Sequence, residues 1–196
     1  MIYIIDNFLD KDVLETTQEE LKKNKFEEIK TPNKSFWIQT VNPKLLEYIL
    51  LKMEIEEGYD LITTGAFFRE AIDGKDVEWR IHCDVKPIPN QDQPTRAAVL
   101  YMNDNKTDDL NGTAFWAHKK HGYCLDHNKL NEYNRLLNDD ANDKNKWILK
   151  SIIGAQTNRL VSYPSNYFHS KYPNEFKESR IVLVIFYKTI QPNEGE

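Results

Sequence analysis

The stretch EWRIHCDVKP, residues 78–87, sets a histidine and an aspartate two positions apart, His82 and Asp84. On an extended chain alternate residues share a face, so Arg80, His82 and Asp84 point one way and Trp79, Ile81 and Cys83 the other. An imidazole and a carboxylate placed like this can meet one metal ion without bending the backbone. A second imidazole would complete a set of two histidines and one carboxylate. That set leaves one face of the ion open and is associated with non-haem Fe(II) oxygen chemistry. His169, in NRLVSYPSNYFHSKYP, is the candidate, 87 positions downstream (169 − 82). Eleven positions further (180 − 169), Arg180 opens the apolar run RIVLVIFY. A guanidinium holds a carboxylate through two parallel hydrogen bonds and never loses its charge, and a cation at the start of a covered strand needs an anion. A bound dicarboxylic acid would supply one; an ion pair with Glu175 or Glu178 would serve as well.

Other groupings compete. AHKKHGYCLDH spaces His118, His121, Cys124 and His127 three apart, and four such ligands can close a tetrahedral zinc site. Gly122 interrupts any helix that would align them. A polar loop is the simpler reading, and a third is that His118, Lys119 and Lys120 line a pocket mouth and meet an acidic substrate. Arg80 either contacts substrate or pairs with Glu78 or Asp76. Tyr163, Tyr167, Phe168 and Tyr172 form either a stacking platform or the packing of a strand end. No Gly-rich phosphate loop, nucleophile elbow or CxxC pair occurs, which removes support for phosphoryl transfer, serine hydrolysis and thiol redox chemistry.

The elements that must position these residues follow from apolar spacing. Val13, Leu14, Thr17 and Leu21 recur at helical intervals behind Asp10, a residue suited to capping a helix start. Leu45, Leu46, Ile49, Leu50 and Met53 make one face of a second helix after Pro43, with Gly58 as its stop. From about residue 61 the pattern becomes short β-branched and aromatic runs, ITTGAFF, VEWRIHC, RAAVLYM, NRLVSY and RIVLVIFY, separated by turn residues. The last run is apolar on both faces and suits a strand covered on both sides. Residues 123–150 break the series with a polar segment holding a short helix around 128–138, and read as a surface insertion of lid or binding-loop character.

At 196 residues the chain can bury one sizeable core, and a single domain, 1–196, is expected. Its 26 Lys and Arg against 31 Asp and Glu, a formal charge of −5, disfavour nucleic acid as a partner. Two cysteines, Cys83 and Cys124, fit a reducing compartment. MIYIIDNFLDKD does not read as a signal peptide, and no apolar run is long enough for a membrane span. A cytoplasmic location is expected, in the host if the chain is phage-encoded.

HCD (82–84), RAAVLYMND (96–104), NGTAFW (111–116), NRLVSYPSNYFHS (158–170) and SRIVLVIFY (179–187) together resemble, in order and spacing, the Fe(II)- and 2-oxoglutarate-dependent dioxygenases. The likeness covers about residues 61–190 and is nearest to the prolyl-4-hydroxylase-like branch and its uncharacterised phage and bacterial members. IDNFLDKDVLETTQEEL also resembles that branch's helical N-terminal segment. The resemblance implies a mainly β fold with flanking helices: a double-stranded β-helix, or jelly-roll, core over 61–190, with 1–60 as helical support. It implies His82, Asp84 and His169 as ligands of Fe(II), and Arg180 on the distal carboxylate of 2-oxoglutarate. Tyr101 would help to bind the same cosubstrate, or else pack in the core. The implied reaction consumes O2, releases succinate and CO2, and hydroxylates a peptidyl or free amino acid or a small metabolite. Asp84 stands where halogenases of the family carry a small residue, which favours hydroxylation over halogen transfer. Asn111-Gly112 replaces the family's Gly-Gly at the start of its strand, which touches only the local turn. A jelly-roll metal-binding or scaffold protein without turnover is the alternative from a different class.

Overall fold

The computed structural model describes residues 1–31, 34–72, 80–85, 93–103, 111–125, 135–173 and 179–190. Among the described residues, ten strands and two long helices follow the order β1 (Tyr3–Ile5), α1 (Lys11–Lys23), β2 (Glu27–Thr31), β3 (Lys34–Thr40), α2 (Pro43–Glu57), β4 (Asp60–Ala71), β5 (Arg96–Tyr101), β6 (Gly112–His118), β7 (Trp147–Gly154), β8 (Leu160–Pro164), β9 (His169–Tyr172) and β10 (Arg180–Ile190). They form a seven-stranded antiparallel sheet ordered β1-β8-β5-β10-β4-β3-β2 and a three-stranded sheet ordered β7-β6-β9. This is a jelly-roll fold with helices on one side, as the resemblance implied.

Period-2 alternation sorts the side chains into three layers. Ala98 and Leu100 of β5 and Leu183, Ile185 and Tyr187 of β10 turn outward and pack on Leu21 of α1 and Ile49 and Met53 of α2. Their alternates, Ala97, Val99, Tyr101 and Val182, turn inward and meet Phe115 of β6 and Ile153 of β7 between the sheets. Ala114 and Trp116, on the far face of β6, pack with Ile81, Cys83, Leu136, Trp147 and Phe168 behind the small sheet. β10 lies between β5 and β4, covered on both faces, which is why RIVLVIFY lacks a polar alternate. Fully burying each Leu, Ile or Phe in these layers contributes about 1.5–3 kcal/mol.

Both helices start close to the expected residues, and α2 stops at the expected Gly58. The Asn42 side chain caps α2 by accepting from the Lys44 N–H at 3.0 Å, and Gly58 ends it in the left-handed conformation, φ 73°. Asp10 precedes α1 without a side-chain capping bond; its carboxylate instead accepts from Lys52 Nζ of α2 at 3.0 Å and ties the two helices together. No helix among the described residues is long and apolar enough to cross a membrane.

Two expectations change. The segment 1–60 is not only helical: β1, β2 and β3 extend the large sheet at both edges. Glu27–Thr31, at the edge, is too polar to announce itself, because an edge strand tolerates charge on both faces, and Lys34–Thr40, paired between it and β4, carries only a short apolar stretch, FWI. Within 123–150, the stretch from Trp147 onward belongs to β7, and Leu136 and Trp147 sit in the outer core at 1 % and 4 % exposure. That part of the expected surface insertion is core. Of the helix expected over 128–138, a single turn at 135–138 is seen, and 126–134 lie outside the described residues.

Candidate metal centre

Backbone hydrogen bonds fix the segment carrying His82 and Asp84 although it forms no long strand. His82 N–H donates to His169 O at 2.9 Å and His169 N–H donates back to His82 O at 2.8 Å, pairing the two histidines across the segments. Ile81 N–H donates to Ala141 O at 2.9 Å and Asp84 N–H to Ser165 O at 2.8 Å. Ile81 and Cys83 drop into the outer core at 0 % and 4 % exposure, so His82 and Asp84 must face the interior between the sheets. Burial pushes the Cys83 thiol up to about 12, which suits a packing residue rather than a thiolate ligand.

His82, Asp84 and His169 come together with one donor atom each, all within 4.8 Å of one another. The His82 Nε2–Asp84 Oδ1 and His169 Nε2–Asp84 Oδ2 separations are 3.8 and 3.5 Å, slightly wider than the ~3 Å between neighbouring ligands ~2.1 Å from a shared ion. Both imidazoles are held in one tautomer. His82 Nδ1 donates to the Arg80 carbonyl at 2.7 Å and His169 Nδ1 to the Tyr167 carbonyl at 2.9 Å, and a carbonyl can only accept. Each Nε2 therefore presents its lone pair inward, the arrangement in which histidines bind metals.

The electrostatics agree. Although 38 % of the His82 side-chain surface is exposed, burial first, and then the repulsion a proton on it would meet from the neighbouring basic groups, push its pKa well below the ordinary imidazole value. It stays neutral and able to ligate. Burial raises the Asp84 carboxyl above its ordinary range, opposed by His169 and by the Tyr163 hydroxyl. Asp84 Oδ2 is buried with no hydrogen-bond partner among the described residues, a costly state for a carboxylate that a divalent cation would relieve. The Tyr163 hydroxyl lies 3.1 Å from His169 Nε2, and burial raises its pKa well above the usual phenol value, so it keeps its proton. Nothing in the sequence marked this role. It arises because the short turn between β8 and β9 folds Tyr163 back beside His169.

The triad opens into a cavity of about 240 Å³ between the sheets. Arg180 lines it from the start of β10, 7 % exposed, with its guanidinium 5.1 Å from the centroid of the Tyr101 ring. The Tyr101 hydroxyl bonds Thr113 Oγ1 at 2.7 Å, and its ring is part of the inner core. Burial lowers the Arg180 pKa from its ordinary value, and the charge of Arg69 adds to this. Glu175 and Glu178, the expected alternative partners, lie outside the described residues, as do Asp76, Glu78 and Trp79.

Arg80 also lines the cavity. Its φ of 45° is left-handed, a conformation that costs a non-glycine residue of order 1–3 kcal/mol and persists only when neighbours impose it. Asn142 Oδ1 does so by accepting the Arg80 N–H at 2.8 Å. Two further basic residues, Arg69 of β4 and Lys171 of β9, line the cavity and were not singled out from sequence.

The alternative groupings separate. His118 is buried with its Nε2 3.3 Å from Asp140 Oδ2 and packs on the His121 ring, 4.8 Å between centroids. Cys124 pairs through its backbone with Tyr167, and His127 lies outside the described residues. Among the described residues, His82, Asp84 and His169 form the only group of three or more such side chains close enough to hold an ion. His118, Lys119 and Lys120 do not line the cavity. Phe168 is core, Tyr163 faces the triad, and Tyr167 and Tyr172 pack partly buried, so the aromatics build strand packing rather than a platform.

With this geometry in view, comparisons with known proteins bear on the whole fold. Residues 75–175 match the model of DUF6445, a family of unknown function. No curated protein matches the sequence. Solved structures match across 95 % of this chain. A prolyl-4-hydroxylase from Pseudomonas putida is 14 % identical, covered over 91 % of its length, with a TM-score of 0.58. A prolyl hydroxylase from Trichoplax adhaerens, solved with a hypoxia-inducible-factor peptide fragment, is 14 % identical, 82 % covered, at 0.59. HygX from Streptomyces hygroscopicus, solved with nickel and 2-oxoglutarate, is 10 % identical, 82 % covered, at 0.60. The fold is that of the 2-oxoglutarate- and Fe(II)-dependent oxygenases. The phage part of the expected likeness has no counterpart among these three.

Proposed function

For a chain that belongs to DUF6445, a family of unknown function, and carries the fold of the 2-oxoglutarate oxygenases, we propose that its activity is Fe(II)- and 2-oxoglutarate-dependent hydroxylation. The substrate is a peptidyl or free amino acid or a small metabolite, and the chain acts as a single domain, 1–196. One observation carries the reading: two imidazoles, each locked with Nε2 inward, meet a buried carboxylate whose Oδ2 lacks a hydrogen-bond partner among the described residues.

In this reading His82, Asp84 and His169 would hold the metal. Arg180, which lines the cavity beside Tyr101, would take the distal carboxylate of the oxo acid through its planar fork. When bound, the iron and 2-oxoglutarate supply the oxidising chemistry, with O2 consumed and succinate and CO2 released. The carbonyls of Arg80 and Tyr167 keep both Nδ1 protons in place, so neither imidazole would have to change tautomer to ligate. Asp84 supplies the one negative charge that offsets part of the ion's. Val99, Val182 and Val184 make the cavity wall apolar, which excludes water and strengthens the charged contacts.

The test is succinate formation from 2-oxoglutarate with added Fe(II) and ascorbate, compared with Asp84→Ala. Formation by the native chain and loss in the variant supports the assignment. Silence in both, with nickel still bound by the native chain, would make this a metal-binding jelly-roll without turnover. Arg180→Ala should raise the 2-oxoglutarate requirement by about a hundredfold or more while metal binding persists; equal loss of both would make Arg180 structural.

A further inference from the structure

The carbonyl that fixes the His82 tautomer belongs to a residue in an uncommon backbone conformation. Arg80 has a left-handed φ of 45°, and from there its carbonyl accepts from His82 Nδ1 at 2.7 Å. Two bonds from a single loop hold this arrangement: Asn142 Oδ1 accepts the Arg80 N–H at 2.8 Å, and the Ala141 carbonyl accepts the Ile81 N–H at 2.9 Å. A strained backbone persists only where its surroundings impose it. The orientation of His82 therefore depends on how firmly residues 140–142 are themselves held.

The small sheet grips that loop at Asp140. His118, the last residue of β6, is paired with Trp147, the first of β7, and both reach the same aspartate. The Trp147 indole N–H donates to the Asp140 carbonyl at 2.7 Å, and His118 Nε2 stands 3.3 Å from Asp140 Oδ2. The Lys120 N–H donates to His118 Nδ1 at 3.2 Å, so the neutral ring carries its proton on Nε2, the atom beside the carboxylate. Burial, together with the charge of His121, lowers the His118 pKa against the opposing pull of Asp140, which keeps the ring neutral. Both side chains are buried, and neither Nε2 nor Oδ2 has any partner but the other among the described residues. A bond to a buried carboxylate is strong, and either group left alone there is costly.

Resting on the assignment of His82 as a metal ligand in the dioxygenase reading, we infer that His118 and Asp140 are positioning residues for that ligand. Their buried bond fixes the 140–142 loop, the loop imposes the left-handed backbone of Arg80, and the Arg80 carbonyl holds His82 with Nε2 left to ligate. Outer partners of ligating histidines commonly change metal affinity by about 10–100-fold, and here that influence passes through backbone bonds.

Two measurements on the full chain test this: the His82 tautomer of the metal-free chain, from long-range proton–nitrogen NMR correlations of its imidazoles, and nickel affinity by calorimetry. In the native chain His82 should carry its proton on Nδ1. Asp140→Ala should raise the Nε2–H form of His82 to a measurable share, leave the His169 pattern unchanged, and weaken nickel binding by about tenfold or more. Asp140→Asn, which keeps an acceptor for the His118 Nε2–H, should bind nickel within about threefold of the native chain. Arg96→Met removes a buried ion pair with Glu57, 3.2 Å long, on the helix side of the large sheet; it should lower the melting temperature without either effect, which separates positioning from general loosening. Should Asp140→Ala not fold, the paired replacement His118→Phe with Asp140→Leu takes its place, because exchanging both partners leaves no unpaired buried group, and the same two changes are expected of it. The inference is overturned if a chain lacking the pair keeps the native His82 tautomer and nickel affinity, if Asp140→Asn binds as weakly as Asp140→Ala, if His169 changes as much as His82, or if Arg96→Met reproduces the loss of nickel. An Asp140-dependent His82 tautomer in a chain that takes up no nickel would fail the dioxygenase reading and leave the positioning of His82 standing.

Discussion

Replacing Arg96 with methionine separates the two arginines that open covered strands. Arg180 faces the cavity; Arg96, at the start of β5, faces the helices. Its Nε lies 3.2 Å from Glu57 Oε2 at the end of α2, and the two side chains are 12 % and 2 % exposed. Glu57 Oε1 also accepts from Ser162 Oγ at 2.8 Å and from the Tyr187 hydroxyl. Arg96 donates to Ser162 Oγ at 2.6 Å, closing the network between α2, β5, β8 and β10. Burial, with Glu57 beside it, raises the Tyr187 phenol pKa, so its proton stays available to the carboxylate. Removing one partner of a buried pair costs about 3–5 kcal/mol because the other charge is left uncompensated. The two hydroxyls still serving Glu57 place this case at about 3 kcal/mol. For a chain this size about 2–4 °C is lost per kcal/mol, so Arg96→Met should melt about 6–12 °C lower by calorimetry. Arg96 is 2-oxoglutarate-independent in this arrangement, so cosubstrate affinity measured well below the new melting point should match the native chain. A fall under about 2 °C, or a loss of 2-oxoglutarate binding like that of Arg180→Ala, would refute the division of roles.

Four other outcomes follow from single contacts. Asp84 has its folded pKa raised above the 3.8 of the free group, so its ionised form lowers stability at pH values above that folded pKa and the effect vanishes below 3.8. The metal-free Asp84→Asn chain should therefore melt higher than metal-free native chain at about neutral pH, and nickel should no longer raise its melting temperature; a lower melting point would contradict the burial argument. His82 carries the opposite sign. Its folded pKa is depressed below 6.5, so the metal-free native chain should lose stability as pH falls through about 6.5, a loss absent from His82→Gln in the same melting series. Gly112→Ala would set a Cβ 2.8 Å from the Ile153 carbonyl carbon of β7 and 2.9 Å from the N of Ala155 just past it, both backbone atoms. Destabilisation of about 3 kcal/mol or more is expected by denaturant unfolding. Leu136→Ala, at 1 % exposure, should cost about 2–5 kcal/mol and weaken nickel binding, because Ala141 and Asn142 just beyond it hold the backbone of Ile81 and Arg80.

The sequence alone determined what periodicity and residue chemistry can encode locally. Helical spacing gave α1 and α2, and the Gly58 stop followed from its freedom at positive φ. β-branched runs gave β4, β5, β8 and β10, and the two-residue interval of His82 and Asp84 put them on one face. The ordered motifs pointed to the jelly roll that the solved structures bear out. The polar edge strand β2 was invisible because an edge needs no apolar alternation, and its inner neighbour β3 because its apolar stretch, FWI, is short. The packing of Leu136 and Trp147 was hidden inside a segment whose average polarity suggested a surface loop. Only the tertiary structure decided which basic side chains share the cavity, because Arg69, Arg80, Lys171 and Arg180 come from four separate segments with no common spacing. It alone separated Arg96 from Arg180, since two arginines at strand starts look alike in sequence until the sheet faces them to opposite layers. And it alone brought His169 against His82, because a contact across 87 positions (169 − 82) is fixed by strand pairing and not by any property of either residue.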